Sequence, residues 1–295
     1  MSNDSSNSRF DQLGNSDEYR HVLGLSGGKD SAALAIYIKE QYPHIHEKVE
    51  YFFSDTGAEL KEAYEFLDKL EAYLGKEIIR LSSGRDFEHW LMQHNGLLPS
   101  PQMRWCTRTM KIKPFEDFVG QDLCVSYVGI RADEFRDGYR GDGKTNIVTA
   151  FPFIDDGLVR DDIFQILEDT VGIPEYYQWR SRSGCYFCFF QQQKEWLGLK
   201  RHHPDLFEKA VELESRVRER WDNKDGLIEV GSVGYTWNSQ GTVHELVARA
   251  EAAEERDKER GIIASTSTSS RWQDVLRYDD QDEDPEDQAC VICSL

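Results

Sequence analysis

Long apolar runs are missing from this 295-residue chain: none approaches the ~18 residues that a membrane-spanning helix requires. The amino-terminal Met1-Ser-Asn-Asp-Ser-Ser-Asn lacks the apolar segment of a secretory signal, so the expected location is the cytoplasm. The closing Cys293-Ser-Leu falls one residue short of the prenylation pattern. Basic charge is scarce, with 35 Lys and Arg against 54 Asp and Glu, a net −19 that argues against broad binding of polyanions. Seven of those acids lie in Asp279–Asp287, yet without them the chain still carries −12. A nucleic-acid partner would therefore need a local basic strip or a basic companion subunit. Internal repeats are also absent. Cysteine is sparse, at six residues, and a chain without a signal segment uses cysteine for metal or redox chemistry more than for disulfides. The 39% hydrophobic and 12% aromatic content is enough for a soluble globular core, in one large or two modest domains.

The most informative stretch is His21 to Ile36. Val22, Leu23 and Leu25 read as a buried strand and Ala32 to Ile38 as a helix. Between them stand Ser26-Gly27-Gly28-Lys29-Asp30-Ser31. Glycines there allow a tight turn whose N–H groups approach a ligand, and the following helix start favours an anion. The helix end offers only about half a charge, so Lys29 and a metal ion would have to balance a triphosphate. A Walker A loop would be one residue longer and would not place Asp after Lys. The loop reads as a phosphate cradle of another kind.

Residues 1–18 are Ser, Asn and Asp-rich and expected to be disordered. Further strands are expected at Val49–Phe53, Ile78–Leu81, Leu123–Val128 and Ile147–Phe151. Helices are expected over Leu60–Leu74, Phe87–Gln93 and Asp161–Val171. This alternation predicts a doubly wound, mainly parallel α/β sheet. Ligands of such sheets lie beyond the carboxyl ends of the strands, where the glycine loop and Asp55-Thr56-Gly57 both fall. The expected division is a tail (1–18), an α/β nucleotide-binding domain (19–175), a helical cysteine-bearing extension (176–262), and a linker with acidic tail (263–295). Within the extension, Gly226 to Trp237 reads as a small hairpin and His244 to Arg260 as a charged helix. Two C-x-x-C pairs occur, Cys185/Cys188 and Cys290/Cys293; Cys106 stands apart, and Cys124 lies in an apolar strand as a core residue. Arg104, Arg108, Lys111 and Lys113, with Arg180 and Arg182, make the one basic strip suited to a polyanion; otherwise they balance a bound nucleotide.

Ser26–Ser31 resembles the PP-loop of the ATP pyrophosphatases, which cleave ATP between its α and β phosphates. Four further elements follow in the order found in the ATP pyrophosphatase and phosphoadenylyl-sulfate (PAPS) reductase superfamily. They are Asp55-Thr56-Gly57, Cys106-Thr107 with Lys111 to Pro114, Gly129-Ile130-Arg131-Ala132-Asp133-Glu134, and Gly184-Cys185-x-x-Cys188. The resemblance covers residues 20 to about 215. It implies an adenine nucleotide alpha hydrolase-like fold, with ATP and Mg²⁺ bound by Ser26, Gly27, Gly28, Lys29, Asp30, Ser31, Asp55, Thr56, Gly57, Gly129 and Arg131. Lys29, Asp30 and Arg131 would be the catalytic residues. A turn without a ligand at Asp55–Gly57, or a surface salt bridge from Arg131 to Asp133 or Glu134, are the plainer readings. PAPS reductases usually lack the Lys-Asp-Ser ending, so its presence favours adenylation of an acceptor with release of pyrophosphate. Cys106, Cys185 and Cys188 resemble the three-cysteine set that holds a [4Fe–4S] cluster in thiolation and DNA phosphorothioation proteins. Zinc with a fourth ligand from Cys290 or Cys293 is the alternative. The implied activity is sulfur transfer to an acceptor such as a nucleic acid, with a donor such as a cysteine desulfurase. A reductase of adenylated sulfate and a non-catalytic nucleotide-binding subunit are the rival functions.

Overall fold

The computed structural model describes residues 9–134, 146–225 and 235–260. They fall into two compact units. The first comprises the described residues up to Gly84 and those from Thr107 to Pro174, and the second takes Arg85–Cys106 and the described residues from Glu175 onward. No helix among the described residues is long and apolar enough to cross a membrane.

The first unit is built on five strands: β1 (Arg20–Gly24), β2 (Glu50–Ser54), β3 (Ile78–Leu81), β4 (Cys124–Tyr127) and β5 (Ile147–Ala150). All pair in parallel, in the order β3-β2-β1-β4-β5. Its helices are α1 (Arg9–Gly14), α2 (Lys29–Gln41), α3 (Pro43–Lys48) and α4 (Lys61–Leu74). The second unit's α5 (Phe87–Gln93) comes next in the chain. A turn, α6 (Trp105–Thr107), then runs through a π-helical turn (Arg108–Ile112) into α7 (Lys113–Val119), and α8 (Pro152–Asp155) and α9 (Arg160–Glu168) follow β5.

Strand side chains alternate between the two sheet faces, and both faces are covered. On one face Leu23, Tyr51, Phe53 and Tyr127 pack against the apolar side chains of α2, α4 and α9. On the other, Val22, Phe52 and Cys124 pack against Phe115 and Val119 of α7, with the rings of Phe52 and Phe115 stacked 5.0 Å apart. The doubly wound α/β reading therefore holds. Cys124 is buried as expected, and burial pushes its thiol up to about 12. α4 ends at Gly75, whose φ of 69° supplies the left-handed cap a side chain would resist.

At the amino terminus the outcome differs from expectation. From Arg9 to Gly14 the chain is helical, because Phe10 is buried with its ring 4.6 Å from that of Tyr42. Polar composition there hid a single apolar anchor. Residues 1–8, the acidic tail with Cys290 and Cys293, and most of the expected hairpin at 226–237 lie outside the described residues.

In the second unit, α10 (Gln193–His202), α11 (Pro204–Asp225) and α12 (Val243–Glu259) pack around Trp196, Phe207 and Trp237. Trp237 is fixed by its indole N–H on the Ala210 carbonyl, 2.9 Å, and by its backbone N–H on Glu214, 3.0 Å. Gly198 is needed for close approach: a Cβ there would lie 2.5 Å from the Trp179 ring. Arg85–Cys106, expected in the α/β domain, joins this unit through aromatic stacking. The Phe87 ring lies 4.1 Å from Phe187 and 5.2 Å from Trp105, and each fully buried aromatic contributes roughly 1.5–3 kcal/mol.

Candidate functional site

β1 is the strand at which the sheet's order reverses, with β2 on one side and β4 on the other. In open α/β sheets ligands bind outside the carboxyl ends of the strands at such a reversal, between the loops that follow β1 and β4 here. The loop after β1 is Ser26–Ser31. Gly27 adopts φ 74°, a conformation natural to glycine, and Gly28 caps α2 without a side-chain hydrogen bond. Ser31 Oγ accepts from the backbone N–H of Ser26 at 3.1 Å and lies 3.2 Å from Ser26 Oγ, while Gly28 N–H donates to Ser26 Oγ at 3.2 Å. The two serines thus hold the loop closed around the first turn of α2.

The loop after β4 meets it at backbone level. A Cβ on Gly129 would sit 2.9 Å from the carbonyl oxygen of Asp30, so only glycine lets the two loops touch. Side chains complete the junction. Lys29 Nζ lies 2.8 Å from Asp30 Oδ2, and Arg131 Nη1 lies 3.0 Å from Asp30 Oδ1. Arg131 also reaches Glu134 at 2.5 Å and Asp133, through Nε, at 2.9 Å. Burial raises the pKa of Asp30, but the charges of Lys29 and then Arg131 outweigh it and hold the carboxyl well below the usual range. Burial likewise works against the Arg131 charge, and Asp30 and Glu134 more than restore it.

Arg131 forms the bridges to Asp133 and Glu134 that its plainer reading expects, and it also reaches the loop through Asp30. Two cations and three carboxylates leave this cluster with one net negative charge. A triphosphate approaching it needs a divalent cation, and Mg²⁺ typically takes one or two carboxylates together with phosphate oxygens. Asp30 fits that donor set.

At the end of β2, Asp55 Oδ1 accepts from Gly57 N–H at 2.8 Å and from the Tyr64 hydroxyl at 2.7 Å. Glu59, missed from sequence, is the clamp of this turn. Its buried carboxylate accepts from Thr56 Oγ1 at 2.7 Å, from the N–H groups of Thr56 and Ala58, and from Tyr64. The signal was an acid four residues after Asp55 on an otherwise apolar turn, with Tyr64 within reach of both. The Asp55–Gly57 turn is thus a preformed, hydrogen-bonded element.

Cys106, Cys185 and Cys188 lie in the second unit. Gly184, at φ 131°, leads into a turn in which Cys188 N–H donates to the Cys185 carbonyl at 3.1 Å. Arg180, fully buried, donates to the carbonyls of Gly184 at 3.0 Å and Cys185 at 2.8 Å. Cys106 belongs to the same unit, and its neighbours approach the pair: Arg104 lies over the Phe190 ring at 5.2 Å, and Trp105 reaches Phe187 by way of Phe87. All three thiols are half-buried. Among the described residues, however, no three His, Cys, Asp or Glu side chains are gathered closely enough to hold a metal. The C-x-x-C turn fits two ligands of a metal or cluster, but the three-thiolate set is not assembled, so no chemistry is routed through it. The basic strip divides: Arg104, Arg180 and Arg182 belong to the second unit, whereas Arg108, Lys111 and Lys113 belong to the first.

The phosphoadenosine phosphosulfate reductase domain model matches residues 20–141. The uncharacterized protein MJ0066 of Methanocaldococcus jannaschii is 26% identical over 219 residues, which cover 71% of this chain and 44% of that protein. The tRNA-specific 2-thiouridylase MnmA of Pseudomonas savastanoi pv. phaseolicola is 29% identical over 147 residues, 45% of this chain and 37% of the enzyme. The chain therefore spans less than half the length of these curated relatives. A solved PAPS reductase from Candida auris aligns at 13% identity and a TM-score of 0.38, over 51% of this chain and 72% of that one. Residues 20–141 are thus similar in sequence to the phosphoadenosine phosphosulfate reductase domain, and that domain and the 2-thiouridylases both belong to the PP-loop, adenine nucleotide alpha hydrolase-like superfamily.

Proposed function

We propose that this chain is an ATP pyrophosphatase that adenylates an oxygen of an acceptor and prepares it for sulfur transfer. The observation that carries the reading is the junction Lys29–Asp30–Arg131 at the reversal point of the sheet. Lys29 and the N–H groups of the Ser26–Ser31 loop would hold the phosphates. Mg²⁺ on Asp30 would neutralise charge on the triphosphate. The acceptor oxygen attacks the α phosphorus, the bond to the β-phosphate oxygen breaks, and pyrophosphate leaves. A sulfur nucleophile then displaces AMP from the adenylated acceptor, taking the place of the acceptor oxygen, which departs with AMP. The relatives named 2-thiouridylase support a nucleic-acid acceptor, and a cysteine desulfurase is the class of donor that would supply persulfide sulfur. The acceptor–disulfide that first forms releases the thiolated acceptor when a second thiol attacks the carrier sulfur and takes it into a disulfide. Cys106, Cys185 and Cys188 support the sulfur half of the reading, with iron or zinc its testable component.

α-³²P-labelled ATP incubated with the purified chain, Mg²⁺ and candidate acceptors tests the first half. Release of AMP and pyrophosphate is the expected result. Tight nucleotide binding without turnover would favour a nucleotide-binding subunit instead. The match to the phosphoadenosine phosphosulfate reductase domain favours a second reading, reduction of adenylated sulfate. That chemistry needs a cysteine that cycles as a thiosulfonate, for which only Cys290 or Cys293 is suitably placed in the sequence, and it is detected as sulfite released from PAPS.

A further inference from the structure

In the second unit, Cys185-Tyr186-Phe187-Cys188 is a single four-residue turn, closed by the Cys188 N–H on the Cys185 carbonyl at 3.1 Å. A turn closed in this way holds its end Cα atoms less than about 7 Å apart, which meets the span of about 4.4–6.8 Å that a disulfide bridges. The turn is fixed from within. Buried Arg180 donates to the carbonyls of Gly184 and Cys185, at 3.0 and 2.8 Å, and buried Gln191 donates to that of Tyr186 at 2.8 Å. Both central rings are buried as well: Phe187 stacks on Trp237 at 4.9 Å, and Tyr186 meets Phe187 edge-on at 4.7 Å. Three successive carbonyls and both middle side chains are thus committed to the interior, while the two thiols at the ends are only half-buried. Among the described residues no third metal-ligating side chain is gathered beside them, and two thiols on one rigid turn have the chemistry of a dithiol.

We infer that Cys185 and Cys188 form a redox-active dithiol that closes reversibly to a disulfide by exchange with the disulfides of small thiols. One cysteine, as thiolate, attacks a sulfur of the co-reactant R–S–S–R; that bond breaks, and RS⁻ leaves and takes a proton from solvent. The second cysteine, its proton lost to solvent, attacks the sulfur of the first. The mixed disulfide breaks, and the second RS⁻ leaves. The pair is oxidised by two electrons and the co-reactant is reduced to two thiols. Because the clamped turn already holds both cysteines at bridging span, closure costs little further conformational freedom, and the second thiol acts at a high effective concentration. Closure also withdraws two thiolates from any metal, so the redox state of the pair decides whether iron or zinc can load. The inference goes beyond the ATP-dependent reading and does not depend on it.

The full chain in EDTA, equilibrated anaerobically with reduced and oxidised glutathione at graded ratios, then acid-quenched and alkylated in denaturant, tests it. Trypsin cleaves after Arg182 and Lys194, so one peptide carries Cys185 and Cys188 and no other cysteine. By mass spectrometry that peptide should pass from doubly alkylated to a form with neither alkyl group and two hydrogens fewer, while Cys106 and Cys124 stay alkylated. The effective concentration of the pair, read from the midpoint, should be at least roughly tenfold higher in the folded chain than in concentrated urea, because the turn is preformed. Gln191→Leu, which releases the Tyr186 carbonyl, should bring the folded value toward the urea value. A glutathione adduct that persists on Cys185 or Cys188 in place of closure, a bridge from either to Cys106, or a folded value no higher than that in urea would each overturn the inference. These readings come from the unaltered chain, so they stand even if the Leu variant folds poorly. Because ATP and Mg²⁺ are absent, failure here is distinct from failure of the pyrophosphatase reading.

Discussion

Arg131 and Asp30, 101 residues apart in sequence, meet at 3.0 Å across the point where the sheet reverses direction. The contact ties the loop after β4 to the Ser26–Ser31 loop after β1. On the proposed reading, Arg131 would act on a bound phosphate through Asp30 as well as by its own charge. Arg131→Met should therefore lower ATP cleavage and raise the Mg²⁺ concentration needed for half-maximal rate, because Asp30 loses its fixed orientation. Pyrophosphate release measured against Mg²⁺ at saturating ATP checks this, and an unchanged Mg²⁺ dependence counts against the coupling.

Lys29→Ala should reduce pyrophosphate release by about 10²–10³-fold, the usual effect of removing one group that stabilises developing charge. The side chain is largely buried against Asp30 in the loop but is not among the apolar side chains of the core, so circular dichroism should match the parent. Release at the parent rate would exclude the loop as the site of cleavage.

Gly129→Ala tests the backbone junction. Its Cβ would meet the Asp30 carbonyl at 2.9 Å, and backbone cannot rotate away as a side chain can. The expected cost is about 1–3 kcal/mol of stability together with weakened nucleotide binding. Denaturant melts and ATP titration on the same preparation report the two effects, and loss of neither would show that the loops have room to separate.

Acid should erase the contribution of the Arg131–Asp30 pair. The folded-state pKa of Asp30 lies below its unfolded value of about 3.9, so the pairing stabilises fully above that value and is lost as pH falls beneath it. The stability gap between parent and Arg131→Met should be constant from pH 7 to 5 and shrink below about pH 4. A gap that widens in acid would contradict the sign.

Much of this was legible in sequence because the signals were local. Ser26–Ser31 declares itself by two glycines between a strand and a helix, and the apolar run Val22, Leu23 and Leu25 marked that strand as buried. Glu59 was not legible, since its role depends on donors at Thr56, Ala58 and Tyr64 that converge only once the turn is formed. The assignment of Arg85–Cys106 to the second unit was hidden for a similar reason: it follows from Phe87 meeting Phe187, a pairing 100 residues apart that no periodicity announces. Phe10 illustrates the opposite failure, where a polar stretch concealed the one ring that anchors it.

The last prediction concerns Cys106, Cys185 and Cys188. Arg104 and Trp105 bring the Cys106 segment up to the rings that flank Cys188, while the thiols themselves are not grouped as metal ligands. If the three thiolates hold iron, binding must draw Cys106 inward and disturb Trp105, whose ring stacks on Phe87 at 5.2 Å and on His94 at 4.6 Å. Anaerobic purification should then yield iron, with Trp105 fluorescence differing between loaded and chelated protein. Cys106→Ser, Cys185→Ser and Cys188→Ser should each strip the metal, because two remaining thiolates are too few to retain a cluster. Deleting residues 289–295 should leave iron content unchanged. Loss of metal on that deletion would assign a fourth ligand to Cys290 or Cys293, close the coordination shell as structural zinc requires, and remove the open iron position on which cluster-borne sulfur transfer depends.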